Sequence, residues 1–170
     1  TVNGISYIFS TSNSATVNIN SNGIYTTANV ELQQGVQLTH RYSANVSDPD
    51  QKFTLPNANT DTSSLVVQIQ TSATSSNLYT YSVANDTTTI NSSANVYFLE
   101  EDTDSKYRVY FGDGTTGRAL TSGNIIVLKS LVADATAPNG ARTFTPTGTV
   151  GGYSNVTVTT TSAAAGGADR

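Results

Sequence analysis

Tyr107-Arg108-Val109-Tyr110-Phe111-Gly112-Asp113-Gly114-Thr115-Thr116-Gly117, followed by Asn124-Ile125-Ile126-Val127-Leu128, is the stretch whose reading decides the fold. Tyr107, Val109 and Phe111 recur at every second position, which places them on one face of a strand. The glycines then match G-x-G-x-x-G, and Asp134 stands about twenty residues on, where a dinucleotide site wants its ribose contact. In such a site the third glycine opens a helix whose N-terminus holds the pyrophosphate. Here Arg118 to Gly123 is short, and Asn124 to Leu128 reads as another strand. A parallel crossover needs roughly a dozen residues or more, so the spacing predicts a hairpin, with a positive-φ turn at Gly112, Asp113, Gly114 and Gly117. No cofactor is expected.

The same alternation recurs outward from this stretch: Ile5, Tyr7, Phe9; Val36, Leu38, His40, Tyr42; Leu65, Val67, Ile69; Tyr79, Tyr81, Val83; Ile125, Val127; Val156, Val158. Between these sets lie Ser21-Asn22-Gly23, Asp48-Pro49-Asp50, Leu55-Pro56-Asn57, Pro138-Asn139-Gly140 and Gly151-Gly152, all with turn chemistry. Short strands with regular turns predict an all-β fold, a β-sandwich-like antiparallel module with long loops. The Ser/Thr-rich stretch Thr71 to Asn77 either separates two small subdomains or forms one long loop. No apolar set has helical spacing, apart from Ala163-Ala164-Ala165, which could begin a helix. No repeat with a fixed period supports a propeller or solenoid.

Composition agrees with this reading. In 170 residues, apolar residues make up 36% and charged residues 12%, and Thr, Ser, Asn and Gly, which favour strands and turns over helices, dominate the rest. A chain of this length can bury a core. Net charge is -4 and the 8 basic residues are scattered, so the sequence lacks the footprint of nucleic-acid binding. No apolar run approaches the ~18 residues of a membrane-spanning helix, and residues 1–4 show no sorting signal. The chain has no Cys for disulfides or thiolate chemistry. It also has no Met, as expected of an internal fragment.

Catalytic and metal chemistry find little purchase. The one histidine, His40, shares its alternation with Val36, Leu38 and Tyr42, and is expected to be structural. A triad would need a marked nucleophile and an orienting acid beside it. Asp48 and Asp50, and then Glu100, Glu101, Asp102 and Asp104, could converge on calcium, but an EF-hand loop counted from Asp102 puts Tyr107 where glycine is required. The same carboxylates could be drawn into glycoside hydrolysis, yet there is no Trp to stack a sugar, and Tyr79 and Tyr81 alternate as strand residues do. Asn45, Asn85, Asn91 and Asn155 head glycosylation-type triplets that arise by chance in so Asn/Ser/Thr-rich a chain. Arg118, just after the glycine turn, is expected to pair with Asp113 or with a partner's carboxylate, or else to be simple surface charge.

Three ordered segments resemble the baseplate J-like family, and within it the larger wedge proteins of contractile-tailed, T-even-like phages. They are Asn29 to Gly35; Lys52-Phe53-Thr54-Leu55-Pro56-Asn57-Ala58-Asn59-Thr60-Asp61 on to Val67; and Tyr97 to Glu101 with Tyr107 to Gly114, Gly117, Asn124 and Pro138-Asn139-Gly140. The tail Ala165 to Arg170 resembles the family's entry into its following region, whereas residues 1–28 carry no signature. The resemblance divides the chain into an unassigned N-terminal β segment (1–28), a baseplate J-like β region (29–141) and a C-terminal strand leading onward (142–170).

The resemblance implies a virion structural protein of the tail baseplate, made in the bacterial host cytoplasm. Such a protein joins neighbouring wedges into a ring and helps transmit the trigger for sheath contraction. It implies no enzyme activity, cofactor, metal or catalytic residue, and its partners are other baseplate wedge proteins, not nucleic acid or membrane. Pro56, Asn57, Asp61, Gly112, Asp113, Gly114, Gly117, Arg118, Asn139 and Gly140 carry the motif as turn residues. The full-length protein is expected to be oligomeric and this stretch alone monomeric. The composition also suits an extracellular immunoglobulin-like adhesin or carbohydrate-binding module.

Overall fold

The computed structural model describes residues 1–11 and 13–168. The fold is all-β, as the alternation predicts, with eleven strands and a single 3₁₀ turn at Thr87–Thr89 among those residues. The chain forms two compact units, one of residues 37–132 and one of residues 1–36 with 133–170.

The 37–132 unit is built on one seven-stranded sheet. Its strands are β5 (Val36–Ser43), β6 (Phe53–Leu55), β7 (Thr60–Gln70), β8 (Leu78–Val83), β9 (Val96–Glu101), β10 (Tyr107–Phe111) and β11 (Ile125–Val132), in the order β5-β11-β7-β8-β9-β10-β6. The β11–β7, β7–β8, β9–β10 and β10–β6 pairs are antiparallel, and β8–β9 is parallel. Two residues per repeat put Leu65, Val67 and Ile69 of β7 on one face, opposite Leu128 and Ile126 on one side and Tyr81 on the other. Phe53, Leu55, Tyr97 and Val109 complete the buried cluster.

Tyr42 of β5 meets Phe53 of β6 with ring centroids 5.6 Å apart, and its hydroxyl donates to the Thr54 carbonyl. β5 and β6 are the two edges of the sheet, so the sheet curls around its core until side chains join its ends. Burial raises the Tyr42 phenol above the ordinary tyrosine range. β7 and β8 pair directly across Thr71–Asn77, which makes that Ser/Thr-rich stretch a loop inside one unit and not a divide between halves.

Two strand expectations need correction. β10 and β11 do not form a hairpin, because β10 pairs with β9 and β6 while β11 sits between β5 and β7. The 112–124 segment therefore crosses the curled sheet. In β11 the core face is Ile126 and Leu128, both fully buried, whereas Val127 is buried on the opposite face. An unbroken apolar run has no visible period, so its register is set by pairing with β7.

In the other unit, β1 (Phe9–Thr11) pairs with β4 (Leu32–Gln34), and β2 (Asn18–Ile19) pairs with β3 (Tyr25–Thr26). Ser21-Asn22-Gly23 turns the second pair, and Asn20 Oδ1 accepts from the backbone N–H groups of Asn22 and Ile24. Gly151-Gly152 closes an isolated Val150–Tyr153 bridge. The Val156/Val158 alternation forms no strand, and Ala163 to Ala165 begins no helix. Ala164 pairs instead with Gly140 and Ala141 through backbone hydrogen bonds of 2.8 and 2.9 Å. Residues 1–36 and 133–170 form one unit because these end segments share contacts that chain order conceals.

Leu128 is fully buried and Ile19 is 61% exposed, so Leu128→Ala should cost about 2–5 kcal/mol and Ile19→Ala within about 0.5 kcal/mol. Urea denaturation followed by far-ultraviolet circular dichroism measures both, and equal losses would contradict the placement of the core.

Candidate functional site

The glycine-rich segment is held by backbone contacts from several sides. Asp113 Oδ1 accepts from Thr115 and Thr116 N–H, Gly114 N–H donates to the Gly117 carbonyl, and Gly117 and Arg118 N–H donate to the carbonyls of Asn91 and Ala94. Gly114 and Gly117 have positive φ, of 88° and 84°, whereas Gly112 and Asp113 do not. Gly112 is required for a different reason: a Cβ there would run into the Thr116 carbonyl oxygen and the Gly117 backbone. No helix follows Gly117, so the pyrophosphate-binding geometry is absent. Asp134 belongs to the other unit, where it exchanges hydrogen bonds of 2.8 and 2.7 Å with the Gln34 side chain.

The remaining motif residues also build turns. Asn57 Oδ1 accepts from Asn59 N–H, and the Asn57 carbonyl accepts from the Thr60 hydroxyl, which closes the Pro56-Asn57 turn between β6 and β7. Asp61 Oδ1 takes both the N–H and the hydroxyl of Ser63. Its carbonyl takes the Ser64 hydroxyl, whose oxygen in turn accepts Leu131 N–H at the register shift between β7 and β11. Asn139 and Gly140 clasp the C-terminal segment. The Asn139 amide donates to the Gly167 carbonyl at 2.9 Å and accepts Gly167 N–H at 3.1 Å. Of the tail Ala165 to Arg170, the last two residues lie outside the described residues.

The acidic groups do not converge. Glu100 pairs with Lys52 at 2.6 Å, Asp102 with Arg108 and Asp104 with Lys106. Among the described residues no three His, Cys, Asp or Glu side chains come together as a metal site. Phe98 and Tyr110 stack beside this network at 5.0 Å, with the Lys52 ammonium 5.3 Å from the Tyr110 ring centroid. His40 alternates with Leu38 and Tyr42 on the half-buried face of β5.

Arg118 does not pair with Asp113. Its guanidinium lies beside Tyr81, where burial raises the phenol above its ordinary range and the attraction of Arg118 partly offsets that rise. Around this contact lies a depression of about 260 Å³, lined by Ile69 and Tyr79 and rimmed by Thr71, Thr121 and Asn124. Asn124 braces the rim, accepting Thr121 N–H and donating to the Thr71 carbonyl. Sequence reading missed this grouping, because Tyr81 and Arg118 come from distant segments and meet only where the crossing loop lies over the inner face of β7 and β8. A second depression, of about 470 Å³, lies among exposed loop residues between Asn13 and Glu31.

Beyond that loop depression, the 1–36/133–170 unit offers exposed apolar surface. Ile5, Ile8, Ile19, Ile24, Tyr25 and Tyr153 are each more than half exposed, and Tyr25 and Tyr153 stand together with rings 5.9 Å apart. Ala141 is the one residue of this unit in the buried apolar set among the described residues. Residues 1–30 and 143–168 contain no charged side chain. No helix among the described residues is long and apolar enough to cross a membrane. No family model matches the chain, and no curated protein is similar to it.

Two measurements follow from the glycine turn. Gly112→Ala should destabilise more than Gly140→Ala, since the first meets backbone and the second meets only the cost of a positive φ of 88°, about 1–2 kcal/mol. Equal thermal shifts would count against the close approach. The N–H donors of Thr116 and Thr115 hold the Asp113 carboxyl below the ordinary aspartate range, so the folded state binds this proton less tightly than the unfolded chain does. Its contribution is present above the unfolded pKa and fades as pH falls through the folded one. The stability of Asp113→Asn should therefore lie below that of the parent at pH 7 and converge with it in acid. Curves that stay parallel to the lowest folded pH would refute this.

Proposed function

We propose that the chain is a structural component of a phage tail baseplate wedge, which mediates protein–protein assembly of the baseplate ring and transmission of the contraction trigger. The observation that carries the assembly role is the nearly charge-free unit in which four isoleucines and two tyrosines are more than half exposed. Protein-binding surfaces deplete charge at their centre and enrich aromatic residues, and concentrations of exposed apolar side chains on soluble domains mark partner sites. The ordered resemblance supplies the baseplate as the setting. The motif residues suit such a role, because side-chain-to-backbone hydrogen bonds lock each turn and make a stiff body for transmitting force.

In this reading the protein resides in the virion tail, and its partners are other wedge proteins. Mixed with the wedge proteins encoded beside it, the chain should form a complex seen by analytical ultracentrifugation. Tyr25→Lys with Tyr153→Lys should weaken that complex at least about tenfold while leaving the denaturation midpoint of the 37–132 unit in place. Turnover of a polysaccharide or peptide that is lost in Asp102→Asn or Glu100→Gln would overturn the proposal, as would the protein's absence from purified tails.

A further inference from the structure

We propose that the depression beside Arg118 and Tyr81 is a binding site for a carboxylate carried on a small apolar or aromatic body. The depression lies at the end of the curled sheet where the inner face opens, the place at which barrel-like folds hold ligands. Ile69 and Tyr79 are cross-strand partners on that inner face, and they supply an apolar wall in which Tyr79 is 45% exposed. Tyr81 is two residues on from Tyr79, on the same face, and only 5% exposed. Tyr81 and Arg118 both line the depression, and the Tyr81 O–H can donate to an acceptor held there.

The charge pattern of the unit selects the ligand. Lys52, Lys106 and Arg108 have carboxylate partners, whereas Arg41, Arg118 and Lys129 have none among the described residues, and of these three Arg118 is the one that lines the depression. Its backbone N–H bond to the Ala94 carbonyl anchors the loop at 2.9 Å and holds the base of the side chain beside the depression. A planar guanidinium with a phenol O–H next to it offers a carboxylate two or three donors, and the apolar wall would accept the body that carries it. At about 260 Å³ the space fits a ligand of roughly one amino-acid residue. A free organic acid and the C-terminal residue of a peptide share this chemistry. The site does not rest on the baseplate assignment.

Titration of the full chain with 3-phenylpropionate, with a tetrapeptide ending in phenylalanine, and with the C-terminal amide of that peptide tests the site by nuclear magnetic resonance. Saturable shifts of the Ile69 methyls and the Arg118 side-chain N–H are expected with one or both carboxylates and not with the amide. Whichever carboxylate binds more tightly identifies the source. Arg118→Gln, at an exposed position, should weaken binding about tenfold or more with the amide spectrum otherwise unchanged, and Tyr81→Phe should weaken it in the same direction. Arg118→Lys should fall between, because it keeps the charge and loses the fork. Equal binding of the amide, unaltered binding by Arg118→Gln, or no saturable shift with either carboxylate would overturn the proposal.

Discussion

Val67 lies between Leu128 on one neighbouring strand and Tyr81 on the other, and the packing of the 37–132 unit depends on that row. All three side chains are buried, two of them completely. Moving either neighbour by one residue would turn its alternate side chains from the core to the opposite face. The row thus fixes the register of β11 and β8 against β7. From there the parallel step to β9 carries the sheet round toward β6. The Tyr42–Phe53 contact is the result of that curl, since it joins the two edges only when the five intervening strands are correctly placed.

The two units are stabilised differently. Residues 37–132 contain nearly all of the buried large apolar side chains and most of the charges, six of which sit in three ion pairs beside the sheet. Residues 1–36 with 133–170 have short strand pairs, Asn-centred turns and the Asn139–Gly167 clasp, with isoleucines and tyrosines left in solvent. Hydrogen bonds contribute only about 0.5–1.5 kcal/mol each, net of what water would offer, and Ala141 alone of this unit joins the buried apolar set among the described residues. Covering its exposed side chains in an assembly would supply what it lacks, and the scarcity of charge lowers the desolvation cost of doing so.

The path from Phe111 to Ile125 joins fold and site. Gly112 allows the Thr116 carbonyl to approach, Gly117 turns back toward Asn91, and Arg118 is delivered over Tyr81. A hairpin would have left Arg118 on an outer edge. The crossover places it at the open end of the curled sheet, beside Ile69 and Tyr79. The grouping of Arg118 with Tyr81 and Tyr79 at this depression is thus a product of connectivity.

Local chemistry made much of this readable from the chain itself. Alternation in Leu65-Val67-Ile69 and Tyr107-Val109-Phe111 marks strands because side chains of a pleated chain point to opposite faces. Asn57, Asp61, Asp113 and Asn139 mark turns because short polar side chains cap nearby N–H groups. The class of fold and the position of its turns were therefore determined by the sequence itself. It did not show that β10 and β11 lie apart, that Ile126 and not Val127 faces the core, that Val156 and Val158 form no strand, or that Arg118 meets Tyr81 and not Asp113. Each of these depends on which distant segment pairs with which. That choice is made by simultaneous burial of many side chains, and no single stretch of chain contains it.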